Sequence, residues 1–388
     1  MKICAKGHCT GCGLCKEVCP VSAISMERDR FGFVVPVVDE NKCIKCGLCS
    51  KKCIAEGYER DNKADRVLAA SLKDTSELKK VSSGGAFWAI AKSFIKEGGV
   101  VYGAVAKDIY TVKHMRAETI GEAEHMRRSK YLQSDITECY KQAKDDLEKG
   151  KRVLFSGTPC QIAALYSFAG ENDGLFTCEI VCHGVPSALV YEKYIKELEE
   201  KNNSKVVDIV FRNKDYGWGK NHYEITFDNG ERILEPSVEN AFHSSYLAGM
   251  ISRQSCNECR FVNLPRTADI VLADYWQYKG ELLEKSEGLG VSLLVCTTDK
   301  GNLLVEKAEE YLYLEDSILD EALRSCRHLS HTPGKSIYRE MFLEDIANRT
   351  FASTWKRYMS NGNKPADICN KIIRRLGYEK KRRTDKTD

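Results

Sequence analysis

The chain has 388 residues, 43% of them hydrophobic and 30% charged, with a formal net charge of +3. That length allows two or three domains with a sizeable core, and the near-balanced charge argues against a nucleic-acid binder. The outlier is the count of 18 cysteines. The start MKICAKGHCTGC lacks the apolar stretch of an export signal, and no run of about 18 apolar residues appears. A cytoplasmic protein without a membrane span is expected, using its cysteines for metal rather than for disulfides.

Two runs repeat near the N-terminus, Cys9-x2-Cys12-x2-Cys15-x3-Cys19-Pro20 and Cys43-x2-Cys46-x2-Cys49-x3-Cys53. This is the spacing of two-cluster bacterial ferredoxins, in which the fourth cysteine of each run ligates the other cluster. It predicts one [4Fe-4S] cluster on Cys9, Cys12, Cys15 and Cys53, and a second on Cys43, Cys46, Cys49 and Cys19. Glycines 11, 13 and 47 let the backbone turn tightly around them. Zinc ribbons also use C-x2-C pairs and are the alternative, which two matching four-cysteine runs disfavour. Cys4 lies outside the pattern, Ile54 stands where proline is usual, and FGFVVPVVDE between the runs reads as a hairpin. Residues 1–58 are expected to form an α+β ferredoxin-like domain.

Residues 59–80 are charged and read as a linker with a strand inside it. Ser82 and Ser83 then stand as caps of an amphipathic helix that stops at Gly98, followed by the buried strand VVYGAVAKD. A helix over 137–148, strand RVLFSG, helix TPCQIAALYSFA and strand LFTCEIVC continue the alternation, which implies an α/β domain with a mainly parallel sheet. After the helix LVYEKYIKELEEK, the segments VVDIVFRNK and HYEITFDNGERILEP form an antiparallel excursion, with Asn229-Gly230 signalling a type I′ hairpin. ADIVLADYW and VSLLVCTTDKG return to the sheet. The expected second domain, 81–325, is thus α/β with a mixed sheet and an antiparallel hairpin insertion. Residues 326–388 form a helical extension, whose basic end from Lys371 to Asp388 is available to touch an anionic surface or partner. No G-x-G-x-x-G opens a helix after a strand, so a nicotinamide cofactor held in that way is not expected.

Cys160 falls in the first turn of a helix, after Thr158 as cap and Pro159 at the first helical position. It and Cys182 both follow strands of one sheet, at the carboxyl ends where open α/β sheets bind ligands. With Cys256-x2-Cys259 they would complete a four-thiolate site for a third [4Fe-4S] cluster or for zinc. The competing readings of Cys160 are a nucleophile with His183 as base and a plain core cysteine. Cys139, Cys296, Cys326 and Cys369 read as buried structural cysteines.

The motifs SSGG (82–85), SKYLQS (129–134), GTPCQIAAL (157–165), CHGVPS (182–187), FRNKDYGW (211–218), SCNECRF (255–261), RTADIVLADYW (266–276) and VSLLVCTTDKG (291–301) resemble, in this order, the coenzyme F-420 hydrogenase/dehydrogenase beta-subunit family. The resemblance runs from Cys9 to about Gly301, and bacterial members commonly carry the ferredoxin module. It implies a flavin-binding iron–sulfur domain and supports a cluster on Cys160, Cys182, Cys256 and Cys259, with Cys182 preferred to Cys178. For the flavin, FAD rather than FMN, it points to Ser83, Gly84 and Gly85 at a helix start able to hold a phosphate. It points equally to Lys130, Tyr131, Gln133 and Ser134, and to Asp274 of a D-x-x-x-G-D segment in which this chain has Ala273 for the glycine. On their own, SSGG reads as a cap and turn and SKYLQS as a polar segment. Trp218, Trp276 and Arg212 read as core residues with the option of lining a flavin or substrate.

Iron–sulfur clusters move single electrons and a flavin converts them to pairs. The parts therefore suggest an oxidoreductase carrying electrons from ferredoxin or another redox protein, through clusters and flavin, to a small organic substrate such as a deazaflavin coenzyme or a glycan precursor. The [4Fe-4S] content suggests an anaerobic setting. The alternatives are a non-catalytic electron-transfer subunit of a larger redox complex and a zinc-stapled interaction protein.

Overall fold

A computed structural model describes residues 3–5 and 7–359. The basic end and Cys369 lie outside the described residues. The N-terminal module pairs β1 (Ile24–Arg28) with β2 (Val34–Val38) in an antiparallel hairpin between two single helical turns, Leu14–Glu17 and Leu48–Lys51. Each turn follows a glycine of one cysteine run.

The main sheet begins inside the stretch read as a linker, with β3 (Arg66–Leu72). Helix α1 (Ala86–Lys96) leads to β4 (Val100–Ala106), β5 (Val112–Ala117) and β6 (Ser134–Asp135). Then follow α2 (Thr137–Glu148), β7 (Val153–Gly157), α3 (Pro159–Ala169), β8 (Leu175–Ile180) and α4 (Ala188–Asn202). The insertion consists of β9 (Val206–Asn213), β10 (His222–Phe227), β11 (Arg232–Pro236) and α5 (Ala241–Leu247). Strands β12 (Ile270–Asp274) and β13 (Ser292–Cys296), α6 (Asp299–Ala308) and β14 (Leu312–Ser317) complete the sheet. Helices α7 (Leu319–Ser325), α8 (Arg339–Asn348) and α9 (Phe351–Met359) close the described chain.

The sheet order is β14-β3-β13-β12-β8-β7-β4-β5-β6. Its centre, β12-β8-β7-β4, is parallel, whereas β13, β3 and β14 join antiparallel on one side and β5 pairs antiparallel with β4 on the other. The sheet is therefore mixed, with a parallel centre and a short parallel β5–β6 pair at one edge. Both faces are covered, so alternate residues enter different cores. Leu68, Ala70 and Leu72 of β3 pack with α1 and α6, whereas Val67 and Ala69 face Leu282, Ala322 and Leu329. On the β4–β7–β8 stretch α2 and α3 cover a face, and Leu14 and Ile54 of the N-terminal module dock onto the same core.

The antiparallel excursion builds a second core rather than a simple hairpin. Phe211, Tyr223, Ile225 and Phe227 pack with α4, α5, α8 and α9. The β10–β11 turn also departs from type I′. Gly230 takes φ 84°, but Asn229 is not among the positive-φ residues, and Gly230 N–H donates to Phe227 O at 3.0 Å. A type I′ turn needs positive φ at both central residues, so the pairing here closes through a longer loop with one left-handed glycine. Among the described residues no helix is long and apolar enough to cross a membrane.

Candidate functional site

The first cysteine loop is held from several sides. Gln133 Nε2 donates to Thr10 O at 3.0 Å and Gly11 O at 3.1 Å, Arg253 Nη1 to Cys9 O at 3.3 Å, and Tyr140 OH to Cys12 O at 3.0 Å. A Cβ at Gly11 would meet Arg253 Nη2 at 2.7 Å and Val34 O at 2.8 Å, so only glycine permits this approach. Cys4, outside the repeat, reaches both Cys9 and Cys53 by side-chain hydrogen bonding.

The second set forms where three parallel strands end. Cys160 follows β7 in the first turn of α3, which Thr158 and Gln161 cap reciprocally, and Cys182 follows β8. The loop before β12 brings in Cys256 and Cys259, so that all four thiols stand within mutual electrostatic range. Burial and the neighbouring thiols push Cys160 well above the ordinary range, and burial takes Cys182 up to about 12.

The hydrogen bonding at these sulfurs tests whether a cluster fits. Cys182 accepts from Gly184 N–H at 3.2 Å and Cys9 from Gly11 N–H at 3.4 Å. The same two-residue reach serves Cys12 from Leu14, Cys53 from Ala55 and Cys259 from Phe261. Cys160 hydrogen-bonds with Thr158 Oγ1 at 3.3 Å, and Cys256 accepts from Val185 N–H. Donors aimed at sulfur suit thiolate ligands, whose charge they offset, and are a lever on cluster potential. Cys178, by contrast, lies in the sheet interior at 0% exposure, governed by burial and the Glu179 and Asp269 charges. Among the described residues no three metal-binding side chains are grouped closely enough to hold a single ion. Four thiols with donors aimed at sulfur have the chemistry of a soft metal centre, an iron–sulfur cluster or zinc.

His183 Nδ1 lies 2.6 Å from His328 Nε2, while His328 Nδ1 lies 3.0 Å from His331 O. A carbonyl only accepts, so His328 donates through Nδ1 and accepts from His183 at Nε2.

Cys160 and Cys182 open onto a cavity of about 1460 Å³. Ser83, Gly85, Lys130, Tyr131, Gln133, Ser134 and Asp274 line it too. Gly84 lies just beneath, where a Cβ would fall 2.1 Å from Ala70 O and 2.5 Å from Ser292 N. The serines do not cap α1, because Gly85 is the N-cap at φ 78°. Ser83 Oγ instead donates to Val291 O at 3.0 Å, and Gly84 N–H donates to Ser292 Oγ at 2.9 Å. The N–H groups α1 leaves open toward the cavity are those of its first turn, at Ala86 and Phe87.

Lys130 Nζ donates to Arg127 O at 2.7 Å, and burial lowers its pKa to about 7. Tyr131 is wedged edge-on among Phe211, His243 and Tyr246, joining the insertion to the cavity wall. Ser134 Oγ sits 2.9 Å from His114 Nδ1 and accepts from Gln161 Nε2 at 3.0 Å, tying β6 to β5 and α3. Asp274 accepts from Arg212 Nη2 at 2.8 Å and from Trp218 Nε1 at 3.0 Å, and the Arg212 charge keeps its carboxyl low against burial. Trp218 stacks on Trp276 with centroids 4.8 Å apart and 3° between planes. Trp276 and Arg212 reach the cavity, whereas Trp218 is buried behind them. Sequence reasoning missed Arg253, Lys214 and His114. Arg253 precedes the Cys256 pair, a position that could have drawn attention, but the other two carry no local signal.

Fold and cysteine geometry together define an iron–sulfur electron-transfer protein, and residues 8–56 match the 4Fe-4S dicluster domain. Residues 150–321 match the family model for the C terminus of the coenzyme F420 hydrogenase/dehydrogenase beta subunit. The segments 82–85 and 129–134 lie between the two matched regions. A chain of the F420-reducing [NiFe] hydrogenase complex from Methanosarcina barkeri is similar at 18% identity and a TM-score of 0.46, over 77% of this chain and 94% of that one. No curated protein matches the sequence.

Proposed function

We propose that this protein is an iron–sulfur flavoprotein oxidoreductase. It carries electrons from a ferredoxin-type donor, through [4Fe-4S] clusters and a flavin, to a small organic substrate in an anaerobic cytoplasm. The observation that carries this reading is the four-thiol group whose Cys160 and Cys182 open onto the large cavity. Pockets for one small ligand run to about 1,000 Å³, so this one has room for a flavin dinucleotide and a substrate side by side. Its cationic side chains, among them Arg127, Arg128, Lys130 and Lys220, outnumber the carboxylates Glu239 and Asp274, which favours an anionic occupant such as FAD.

In this reading Cys160, Cys182, Cys256 and Cys259 hold a third cluster beside the two of the N-terminal module. Lys130, Tyr131, Gln133 and Ser134 face the flavin from one wall and the Ser83–Gly85 turn from another, with a phosphate at the first turn of α1. Asp274 acts through Arg212, whose guanidinium it orients along the cavity. A bound flavin accepts electrons singly and delivers them in pairs, which is the chemistry the site otherwise lacks.

Anaerobic photochemical reduction of the purified protein tests this. Three one-electron clusters and a two-electron flavin should take up about five electrons per chain before the visible bands stop bleaching. Uptake of about two would leave only the N-terminal clusters and overturn the reading in favour of a wiring subunit.

A further inference from the structure

The two cysteine runs are near copies in sequence, yet the fold treats them oppositely. Around the first, Cβ atoms at Gly11 and Gly13 would strike Arg253 Nη2 at 2.7 Å and Thr137 Cγ2 at 2.2 Å. At Gly47, the counterpart of Gly13, a Cβ would meet nothing within 4 Å. Leu14, after Gly13, is 1% exposed, and its counterpart Leu48, after Gly47, is 38% exposed. The first run is sealed against α2 and α3, while the second faces outward with Cys46 itself exposed.

The second run is also apolar where it is exposed. Ile44 at 61%, Leu48 and Val21 at 37% gather around Cys19, Cys43, Cys46 and Cys49, with Val37 at 42% on the neighbouring strand. Lysines 42, 45, 51 and 52 stand on the same loop and turn. Against them are Asp39, paired with Lys42 at 3.5 Å, and Glu40. An apolar centre ringed by excess positive charge is the anatomy of a docking surface, and weak electron-transfer encounters need less than about 1,200 Å².

We propose that this face is where an acidic one-electron carrier protein docks. Cys19, Cys43, Cys46 and Cys49 would hold the cluster that takes up one electron there while the carrier's reduced centre gives up one, so the carrier would be oxidised and this protein reduced by one electron each. The carrier's carboxylates meet Lys42, Lys45 and Lys51, and its apolar rim meets Ile44 and Leu48. The inference rests on the reading that these four cysteines hold a cluster.

The test is anaerobic stopped-flow mixing of the full-length protein with a purified, prereduced acidic ferredoxin, following the second-order rate of electron transfer. The rate should fall about tenfold between low and high salt, as steered encounters do. Lys42→Glu combined with Lys51→Glu should slow it about tenfold at low salt, and so should Ile44→Asp. Lys149→Glu, at the far end of α2, should leave it unchanged. In every variant iron per chain and bleaching by a small photochemical reductant should match the unmodified protein. Intact iron with a rate indifferent to salt and to the face variants overturns the docking surface alone, as does equal slowing by Lys149→Glu. A dimer that Ile44→Asp dissociates makes the face a self-interface and likewise overturns it. Loss of the second cluster's iron from the unmodified protein overturns the underlying reading instead.

Discussion

Arg266 is carried into the interior at 2% exposure, where its guanidinium pairs with Glu179 at 0% and Nη1 donates to Leu329 O at 3.3 Å. Glu179 Oε2 is buried without a hydrogen-bond partner among the described residues, so the arginine alone compensates that charge. Arg266→Met should cost about 3–5 kcal/mol in anaerobic guanidinium unfolding, and adding Glu179→Leu should recover most of it. A double variant as unstable as the single one would contradict this account. Lys214 is a second buried cation, at 6% exposure, whose Nζ donates to Leu78 O at 2.8 Å and Ser83 O at 2.6 Å. Burial lowers its pKa to about 7, whereas an unfolded lysine titrates near 10.4. Between those values the unfolded chain binds more protons, so stability should rise with pH across that window. Lys214→Met should flatten that rise in thermal unfolding from pH 7 to 10, and an unchanged slope would refute the assignment. Neither residue was legible in sequence, since their partners lie 87 and 131 or more positions away. The dicluster cysteine repeat was legible because its spacing is local.

The elements follow the same division. Helices α2 and α3 and strand β7 fall where periodicity and the Thr158-Pro159 cap put them. Thr158 caps α3 through its side chain, whose Oγ1 also donates to Gln161 Oε1 at 3.1 Å, and Thr158→Ala should lower stability by about 1 kcal/mol in denaturant unfolding. No measurable change would mean that the helix start is held by packing alone. The Ser82-Ser83 cap does not form, because Gly85 takes the left-handed N-cap position, Ser83 turns to Ala273 O of β12 and to Val291 O just before β13, and Ser82 to Ser129. Strand β3 was heard only faintly, because charged flanks surround its apolar run VLAASL. It nevertheless lies between β14 and β13, inside the sheet. A chain starting at residue 59 should therefore give soluble, cooperatively unfolding protein, whereas one starting at 81 should not, as judged by expression and circular dichroism. Equal behaviour of the two would show that the sheet does not need β3.

At the scale of the molecule, the cavity lies where the parallel centre of the sheet ends, between the main core and the second core built by the insertion with α8 and α9. Sequence order alone did not disclose that the terminal helices and the antiparallel strands share one core, because their contacts join segments more than a hundred residues apart. What it did disclose is the chemistry: eight cysteines for the N-terminal module and four more that the fold gathers at the strand ends. The central claim is that this second group holds a cluster beside a flavin. The most direct test is iron, zinc and released flavin per chain, measured on anaerobically purified protein and on Cys160→Ala. The account predicts about twelve irons and one flavin, falling to about eight irons in the variant. About eight irons in both proteins, or zinc in place of iron, would contradict it.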